Sequence, residues 1–587
     1  MRIYTSIHIS SCLFASSVHA SWSGCPPSGP FLPRPTNLHN SSIIHNATSA
    51  FDKSLQSALN GSISPGFSVA NTSFSLGLVS LDSPKPLWSY HYRGSANING
   101  TATIDNDTQY LIGSISKLIT DLLVLRTGID LDTPITNYLP SLANETSVIK
   151  WEEVTLAALA DHLAGIPPNY GFSDFYILQP FLEELGFPAI EASEYASCGV
   201  TGLNKGCSQE ELLKGILTVH PITTPNTRPA YSQLSFTLLV YALSAKYNGT
   251  YASLLNTYIF EPFNLTNTGA SPGNSSLAVI PPVPNSWGAD YGDNAPGGGL
   301  FSSLSDLSRL AHSILRREAL GSKREVEAWL KPHSSTSSPY ALVGRPWEIY
   351  HLRNFTPHSV PIYAKNGGAY GYTAQFSLLD TLGFGIVVLT AGPPDAWGKL
   401  YDAMLGSFVP AIQAELVQQA VSNGYTAHFS SEDGLVRMGT KVAEDGIGVE
   451  LEYLTRNGSD IVKGIAQMST LALPQFGELE TEFRMFPTDI EVTGTTKIGN
   501  ETVNRTVVRR DWRINLDYEA NTKENSGSGL PGQGARQDEC KGWQTADWLY
   551  YGGQAVDRIV VLSDEVTGHV VGIEVPFLRA VLYAENN

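Results

Sequence analysis

The pattern of the sequence changes near Gly424, and this change limits the possible folds more than any other feature. Before it, runs with a strand-like period of two, such as 67–82, alternate with runs of helical period. After it, helical periodicity is poor and short β-like segments recur, at 449–454, 461–465, 483–492, 503–515 and 559–562. The 587 residues exceed the size at which a single core stops growing. We therefore expect an α+β domain, in which an antiparallel sheet packs with a helical body, followed by a separate all-β domain.

The expected segments are a signal peptide at 1–20, an extended arm at 21–49, the α+β domain at 50–423 and the all-β domain at 424–587. The signal peptide is indicated by Arg2, a moderately apolar run and a small-x-Ala ending. The arm is rich in Pro, Ser and Asn, and a first helix is expected at 49–59. An aromatic-rich insertion at 170–215 interrupts the α+β domain.

Two further features indicate that the protein is secreted to the extracellular space. Asn-x-Ser/Thr sequons are frequent, and such sites imply surface loops if they are glycosylated. The candidates are Asn40, Asn46, Asn60, Asn71, Asn99, Asn106, Asn144, Asn248, Asn264, Asn274, Asn354, Asn457, Asn500 and Asn504. Loss of Cys12 with the signal peptide leaves an even number of cysteines, which suits an oxidising compartment. We favour the pairs Cys198–Cys207 and Cys25–Cys540, and the other pairings stay open.

Several functional classes are disfavoured by the composition and the motifs. The formal net charge of −18 argues against a nucleic-acid partner. No stretch after the leader approaches the length of a membrane span. The histidines lack metal-ligand spacing, and the chain has neither a phosphate-binding loop nor a dinucleotide glycine fingerprint that precedes a helix, so we expect no metal and no cofactor. The sequence does not indicate an oligomeric state.

Ser114-Ile115-Ser116-Lys117 is the strongest chemical signal in the chain. It follows a strand-like run and opens a helix, where residues i and i+3 share one face. The amine of Lys117 can therefore lie beside the hydroxyl of Ser114, and a serine needs such a base to act as a nucleophile at neutral pH. Taken alone, the motif also fits a helix N-cap serine with a solvated lysine one turn later.

Three other segments place polar groups along the same domain. Tyr231 stands at the mouth of a helix, and Lys365 opens the run Lys-Asn-Gly-Gly just before a strand. His162 ends a helix between Ser114 and Tyr231, and we interpret it as a structural residue that caps a turn. The alternative readings are a core aromatic at Tyr231 and a plain turn at 365–368.

Together these motifs resemble the serine β-lactamase and penicillin-recognising transpeptidase family, with class C β-lactamases, DD-carboxypeptidases and related esterases as the most similar branch. The resemblance spans roughly 50–415 and includes blocks at 131–140 and 298–307. The family order of Ser-x-x-Lys, Tyr-x-Asn and Lys/His-x-Gly appears here as Ser114/Lys117, Tyr231/Gln233 and Lys365/Gly367. The chain departs from the family pattern in two ways, since Gln233 replaces the asparagine and the stretch from Lys117 to Gly128 is short.

The resemblance implies an acyl-enzyme on Ser114, with Lys117 and Tyr231 sharing the proton transfers. The backbone N–H groups of Ser114 and Gly368 would form an oxyanion hole, and Lys365 would add positive charge, as for a substrate carboxylate. We therefore expect a serine hydrolase that cleaves an ester or amide of a small-molecule or peptide acyl substrate. Two alternatives stay open: an acyltransferase that uses a small natural-product acyl donor, and a catalytically silent β-lactamase-like binding protein.

Overall fold

The computed structural model divides the chain into two compact units. It describes residues 24–585 apart from 192, 195–197, 200–205, 353–358, 475–478, 480–481, 497–504, 517 and 519–541. One unit runs from Pro33 to Gln419, and the other joins the segment up to Leu32 to the residues from Ala420 onward. The predicted signal peptide, Cys540, Asn354, Asn500 and Asn504 lie outside the described residues.

An eight-stranded antiparallel sheet forms the centre of the first unit. Its strands are β1 (Ser73–Ser80), β2 (Trp88–Tyr92), β3 (Ser334–Ser335), β4 (Ala341–Val343), β5 (Glu348–Leu352), β6 (Val360–Ala369), β7 (Tyr372–Leu379) and β8 (Phe384–Ala391). They lie in the order β2-β1-β8-β7-β6-β5-β4-β3. Every position of β1 and β8 is buried, so both faces of the sheet are covered there. Short strand pairs outside this sheet involve Asn99–Gly100, Tyr110–Leu111, Gly269–Ala270, Val279–Ile280 and Leu300–Ser302.

Helices pack on both faces of this sheet. The longer ones are α1 (Ser42–Leu59), α2 (Ser116–Thr127), α3 (Leu234–Tyr247), α4 (Leu304–Leu315) and α5 (Asp395–Ser422). On one face, Phe51 of α1, Phe408 of α5 and Trp88 of β2 pack ring to ring. On the other, Leu304 of α4 fills the space beside Gly77 of β1, where an added Cβ would lie 2.5 Å from its side chain. The predicted antiparallel sheet with a helical body is confirmed.

The first helix begins earlier than predicted. α1 starts at Ser42, because the Ser41 hydroxyl accepts a hydrogen bond from the backbone N–H of Ile44 at 3.1 Å and caps the helix. Ile44, Phe51 and Leu55 then form one buried face. The extended arm predicted for 21–49 therefore ends at the cap, and its polar composition concealed this first part of the helix.

The second unit contains a closed barrel of eight antiparallel strands. These are β9 (Ala427–Ser431), β10 (Val436–Val442), β11 (Val449–Arg456), β12 (Arg484–Thr496), β13 (Arg505–Asn515), β14 (Arg558–Asp564), β15 (Val570–Val575) and β16 (Ala580–Ala584). They follow one another in the order β10-β9-β16-β15-β14-β13-β12-β11, and pairing of β11 with β10 closes the ring. Closure removes the free edges of an open sheet. The predicted separate β domain is confirmed.

One strand predicted for this domain is wrong. The segment 461–465 belongs to a helix, α6 (Ile461–Ala472). Asp460 caps it by accepting a hydrogen bond from the backbone N–H of Lys463 at 3.1 Å. Ile465 and Ser469, four residues apart, are its buried positions, which is a helical and not a strand-like spacing.

The start of the described chain belongs to the second unit. The side chain of Asn515 donates a hydrogen bond to the carbonyl of Cys25 at 3.0 Å, and the rings of Phe31 and Phe486 pack edge to face at 6.2 Å. At the other end, the division between units falls after Gln419, inside α5 and slightly before the predicted boundary at 424.

The cysteines and the sequons can be compared with the prediction where they are described. Cys198 and Cys207 form a disulfide with their Cα atoms 4.7 Å apart, within the insertion at 170–215. Cys25 is also disulfide-bonded. The described sequon asparagines are exposed, except for the half-buried Asn71 and Asn106. No helix in the described parts of the chain has both the length and the apolar character needed to cross a membrane.

Candidate active site

A tight turn presents Ser114 at the start of α2. The short strand Tyr110–Leu111 leads into a single 3₁₀ turn over Gly113–Ile115, and α2 follows from Ser116. Gly113 has a φ of +50°, and an added Cβ would lie 2.5 Å from the backbone nitrogen of Gly368, so only glycine fits. The Ser116 hydroxyl donates to the carbonyl of Gly113 at 2.6 Å and holds the turn. The half-buried Ser114 is thereby brought against β6.

Lys117 lies beside the Ser114 hydroxyl, as the spacing predicts. Its Nζ is 3.1 Å from Ser114 Oγ and donates to the carbonyl of Gly297 at 2.5 Å. The side chain is fully buried. Burial, followed by the positive charge of Lys365, holds the pKa of Lys117 well below its usual value, and the carboxylate of Glu348 acts in the opposite direction. A lysine in this environment can be a neutral amine with a free lone pair.

Lys365 lies on β6, not in a plain turn, and it is held by a carboxylate. Its side chain is 1% exposed. Nζ forms an ion pair with Glu348 on the neighbouring strand β5 and donates to the carbonyl of Asn366 at 3.0 Å. The second carboxylate oxygen of Glu348 accepts from the side-chain amide of Asn366 at 2.6 Å. Glu348 therefore binds both side chains that precede the glycine pair.

The ring of Tyr231 lies close to both lysines. Its ring centroid lies 4.7 Å from Lys117 Nζ and 5.2 Å from Lys365 Nζ. The tyrosine is 43% exposed, so it is not a core aromatic. Because it precedes α3, which begins at Leu234, it lies at the mouth of that helix as expected. The Nζ atom of Lys365 lies within the range of cation–π attraction to this ring.

The ring of His162 packs against the ring of Tyr231. The two ring centroids are 4.5 Å apart, and His162 Nδ1 accepts a hydrogen bond from the backbone N–H of Ser232 at 3.1 Å. Burial, followed by the charges of Lys117 and Lys365, holds the pKa of His162 well below its usual value. The neutral imidazole therefore fixes the chain next to Tyr231, in agreement with the structural reading of this residue.

The free edge of β6 faces the Ser114 turn. β5 pairs with β6 only as far as Ala364, whereas β7 continues to pair with it along 365–369. The backbone N–H of Asn366 donates to Glu348 Oε2 at 3.2 Å, so it points away from β7. Backbone groups alternate in direction along an antiparallel strand, and the N–H of Gly368 therefore points away from β7 as well.

The two glycines of this edge differ in the space around them. A Cβ on Gly367 would lie 1.9 Å from the carbonyl oxygen of Ile112 and 2.9 Å from the backbone nitrogen of Ser114. A Cβ on Gly368 would meet no atom within 4 Å. Gly367 thus permits the close approach of β6 to the turn, while a Cβ on Gly368 would lie in open space.

Gln233 packs on the glycine turn that holds Lys117. A Cβ on Gly297 would lie 2.3 Å from Gln233 Cγ, and one on Gly298 would lie 3.4 Å from Gln233 Oε1. The backbone N–H of Gln233 donates to the carbonyl of Pro168 at 2.8 Å. The longer amide is therefore accommodated by glycines at 297 and 298, next to the carbonyl that accepts from Lys117.

The structure thus gathers around one region the residues Ser114, Lys117, Tyr231, Gln233, Lys365, Gly367 and Gly368. Sequence reasoning missed Glu348, whose role depends on the pairing of β5 with β6. It also missed the glycines Gly113 and Gly297, although the run of three glycines at 297–299 was a usable signal. Among the described residues, no group of three or more His, Cys, Asp or Glu side chains could hold a metal ion.

Known proteins share the pattern of this chain. A family model described as Beta-lactamase matches residues 85–408, and one described as Beta-lactamase-like-like, C-terminal domain matches residues 417–586. A Beta-lactamase-like protein of Arthroderma benhamiae is 44% identical over 98% of both chains. A Phoma protein described as a probable hydrolase is 23% identical over 84% of this chain and 81% of its own. The structure of a D-stereospecific amidohydrolase from Streptomyces sp. matches 61% of this chain and 98% of its own, at 17% identity and a TM-score of 0.45.

Proposed function

The chain belongs to the beta-lactamase family of hydrolases, and from this premise we propose that it is a secreted serine hydrolase that cleaves an ester or amide through an acyl-enzyme on Ser114. The observation that carries the proposal is the contact of 3.1 Å between Ser114 Oγ and a fully buried Lys117 amine. A buried lysine whose pKa is well below its usual value can be a neutral amine and accept the proton of the serine hydroxyl.

The proposed acylation uses groups that lie on three different segments. Ser114 Oγ attacks the carbonyl carbon while its proton passes to Lys117 Nζ. The carbonyl oxygen gains negative charge and is stabilised by the backbone N–H groups of Ser114 and Gly368. The bond to the leaving group then breaks, and the leaving group takes a proton by way of Lys117 and Tyr231. Attack of water on the acyl-enzyme releases the acid and returns the proton to Ser114.

Secretion is supported by two structural features. The disulfide between Cys198 and Cys207 suits an oxidising compartment. Most described sequon asparagines are exposed and can therefore accept a glycan. Expression of the full chain in a eukaryotic secretory host tests this part of the proposal. Recovery from the medium, with a mass that falls on treatment with a glycosidase, is expected, and retention of an unglycosylated chain inside the cell would contradict it.

The chemical proposal is tested by labelling with a fluorophosphonate, which traps an activated serine. The wild-type chain should be labelled, and Ser114→Ala should not. Ser54→Ala, at an exposed serine of α1, is the matched control and should be labelled like the wild type. A folded wild-type chain that resists labelling would favour the silent binding protein. Labelled enzyme that releases its acyl group mainly to added alcohols or amines, and only slowly to water, would favour the acyltransferase.

A further inference from the structure

The cation expected to receive a substrate carboxylate already has an internal partner. Lys365 Nζ is paired with Glu348, and its side chain is 1% exposed. The same carboxylate accepts hydrogen bonds from the backbone N–H and the side-chain amide of Asn366, at 3.2 and 2.6 Å. Both oxygens of Glu348 are thus engaged by the two residues that precede the glycine pair of β6.

This arrangement changes the charge that a substrate meets. Lys117, the other lysine of the site, is buried against Ser114 and the carbonyl of Gly297. A substrate carboxylate that approached Lys365 would come close to the carboxylate of Glu348, which is 36% exposed. Repulsion between the two carboxylates opposes binding. Lys365 offers little to offset it, because its charge is already compensated by Glu348. The edge of β6 is therefore better suited to an uncharged acyl group.

We propose that Glu348 is a specificity-determining residue, and that the substrates of this site are esters or amides without a carboxylate in the acyl portion. The proposal rests on the proposed function, since it concerns the acyl group transferred to Ser114. The carboxylate of Glu348 belongs to the protein and is fixed in place. It binds the Lys365 ammonium where a substrate carboxylate would otherwise bind. Its exchange for a neutral residue should return positive charge to the cleft.

The test compares two esters with the same leaving group, 4-nitrophenyl butyrate and the mono-4-nitrophenyl ester of glutaric acid, which differ by one carboxylate. In the wild-type chain, kcat/KM for the neutral ester should exceed that for the anionic ester by at least about tenfold. Glu348→Gln keeps hydrogen-bonding groups near Lys365 and removes the charge, so this ratio should fall by at least about tenfold. Glu145→Gln, at an exposed position, is the control for net charge and should leave the ratio unchanged.

The outcomes separate the two proposals. A wild-type preference for the anionic ester, or an unchanged ratio in folded Glu348→Gln, overturns the role of Glu348 while the serine chemistry stands. No turnover of either ester, together with no fluorophosphonate labelling, overturns both. If Glu348→Gln does not fold, the wild-type chain is instead inhibited with phenylboronic acid and with 4-carboxyphenylboronic acid. Weaker inhibition by the carboxylated compound supports the proposal. Equal or stronger inhibition by that compound overturns it.

Discussion

Lys117→Met tests whether the buried amine is neutral in the folded protein, which the proposed mechanism requires. The unfolded chain keeps the ordinary lysine pKa of about 10.4, whereas burial holds the folded pKa well below it. Between these two values the unfolded state binds one proton more than the folded state. The energetic cost of Lys117 is therefore absent above the unfolded pKa and grows as the pH falls toward the folded pKa. Methionine has a similar length and does not titrate, so it removes this dependence.

The size of the effect follows from linkage. Each pH unit changes the stability difference between wild type and Lys117→Met by about 1.4 kcal/mol while the folded amine is neutral and the unfolded amine is charged. Within the range between the folded and the unfolded pKa, a rise of about 1.5 pH units should therefore stabilise the wild type by roughly 2 kcal/mol relative to the variant. The lost hydrogen bond to the carbonyl of Gly297 adds a cost to the variant, but that cost does not depend on pH and cancels from the slope.

Urea unfolding at several pH values provides the measurement, with fluorescence of the buried Trp151, Trp329 and Trp347 as the signal of the first unit. Lys53→Met, at an exposed position of α1, is the matched control and should show no such slope, because solvent surrounds its amine in both states. A stability difference between wild type and Lys117→Met that is independent of pH would mean that Lys117 keeps its proton in the folded protein. The role of Lys117 as the base would then be refuted.

Three further predictions concern the same site. The kcat/KM for a neutral ester should rise with pH as Lys117 loses its proton and should level off well below pH 10.4, the ordinary lysine value; a pH–rate profile with a rise centred near 10.4 would contradict this. Tyr231→Phe should lower kcat/KM on the order of 100-fold, as expected for lost proton transfer, whereas Tyr340→Phe, a tyrosine of similar exposure, should retain the wild-type rate. Gly367→Ala should destabilise the first unit by about 1–3 kcal/mol in urea unfolding, because the added Cβ meets the carbonyl of Ile112. Gly368→Ala should not destabilise it. Equal stability of the two variants would show that β6 does not need glycine at 367.

The site could be predicted from the sequence where its residues are close along the chain or follow a family order. Ser114 and Lys117 are one helical turn apart, so their contact is a consequence of helix geometry. Tyr231 and Lys365 are far apart, and only their order resembled a known family. Glu348 had no such signal: it reaches Lys365 because β5 and β6 pair with Glu348 opposite Ala364, and this register is a tertiary property.

The fold shows the same division between local and long-range information. The alternating run 67–82 located β1, and the change of pattern near 424 located the β domain. The segment 461–465 was misassigned because a short apolar run does not distinguish a strand from a buried helical turn. The attachment of the first described residues to the second unit depends on contacts such as Asn515 to Cys25, between positions 490 residues apart, and no local pattern encodes that contact.

The charges around Lys117 also explain how Lys117 can be a neutral base although the charge of Lys365 is compensated by Glu348. Burial is the largest cause of the low pKa of Lys117, the charge of Lys365 comes second, and Glu348 opposes both. A low pKa therefore does not require a bare positive charge at Lys365, and Glu348 can serve selectivity while it partly offsets the effect of that lysine. Exchange of Glu348 for glutamine removes only the opposing contribution, so the pKa of Lys117 should fall further. The acid limb of the kcat/KM profile for the neutral ester should then move to lower pH in Glu348→Gln, and a shift to higher pH would show that Glu348 acts on the base through something other than its charge.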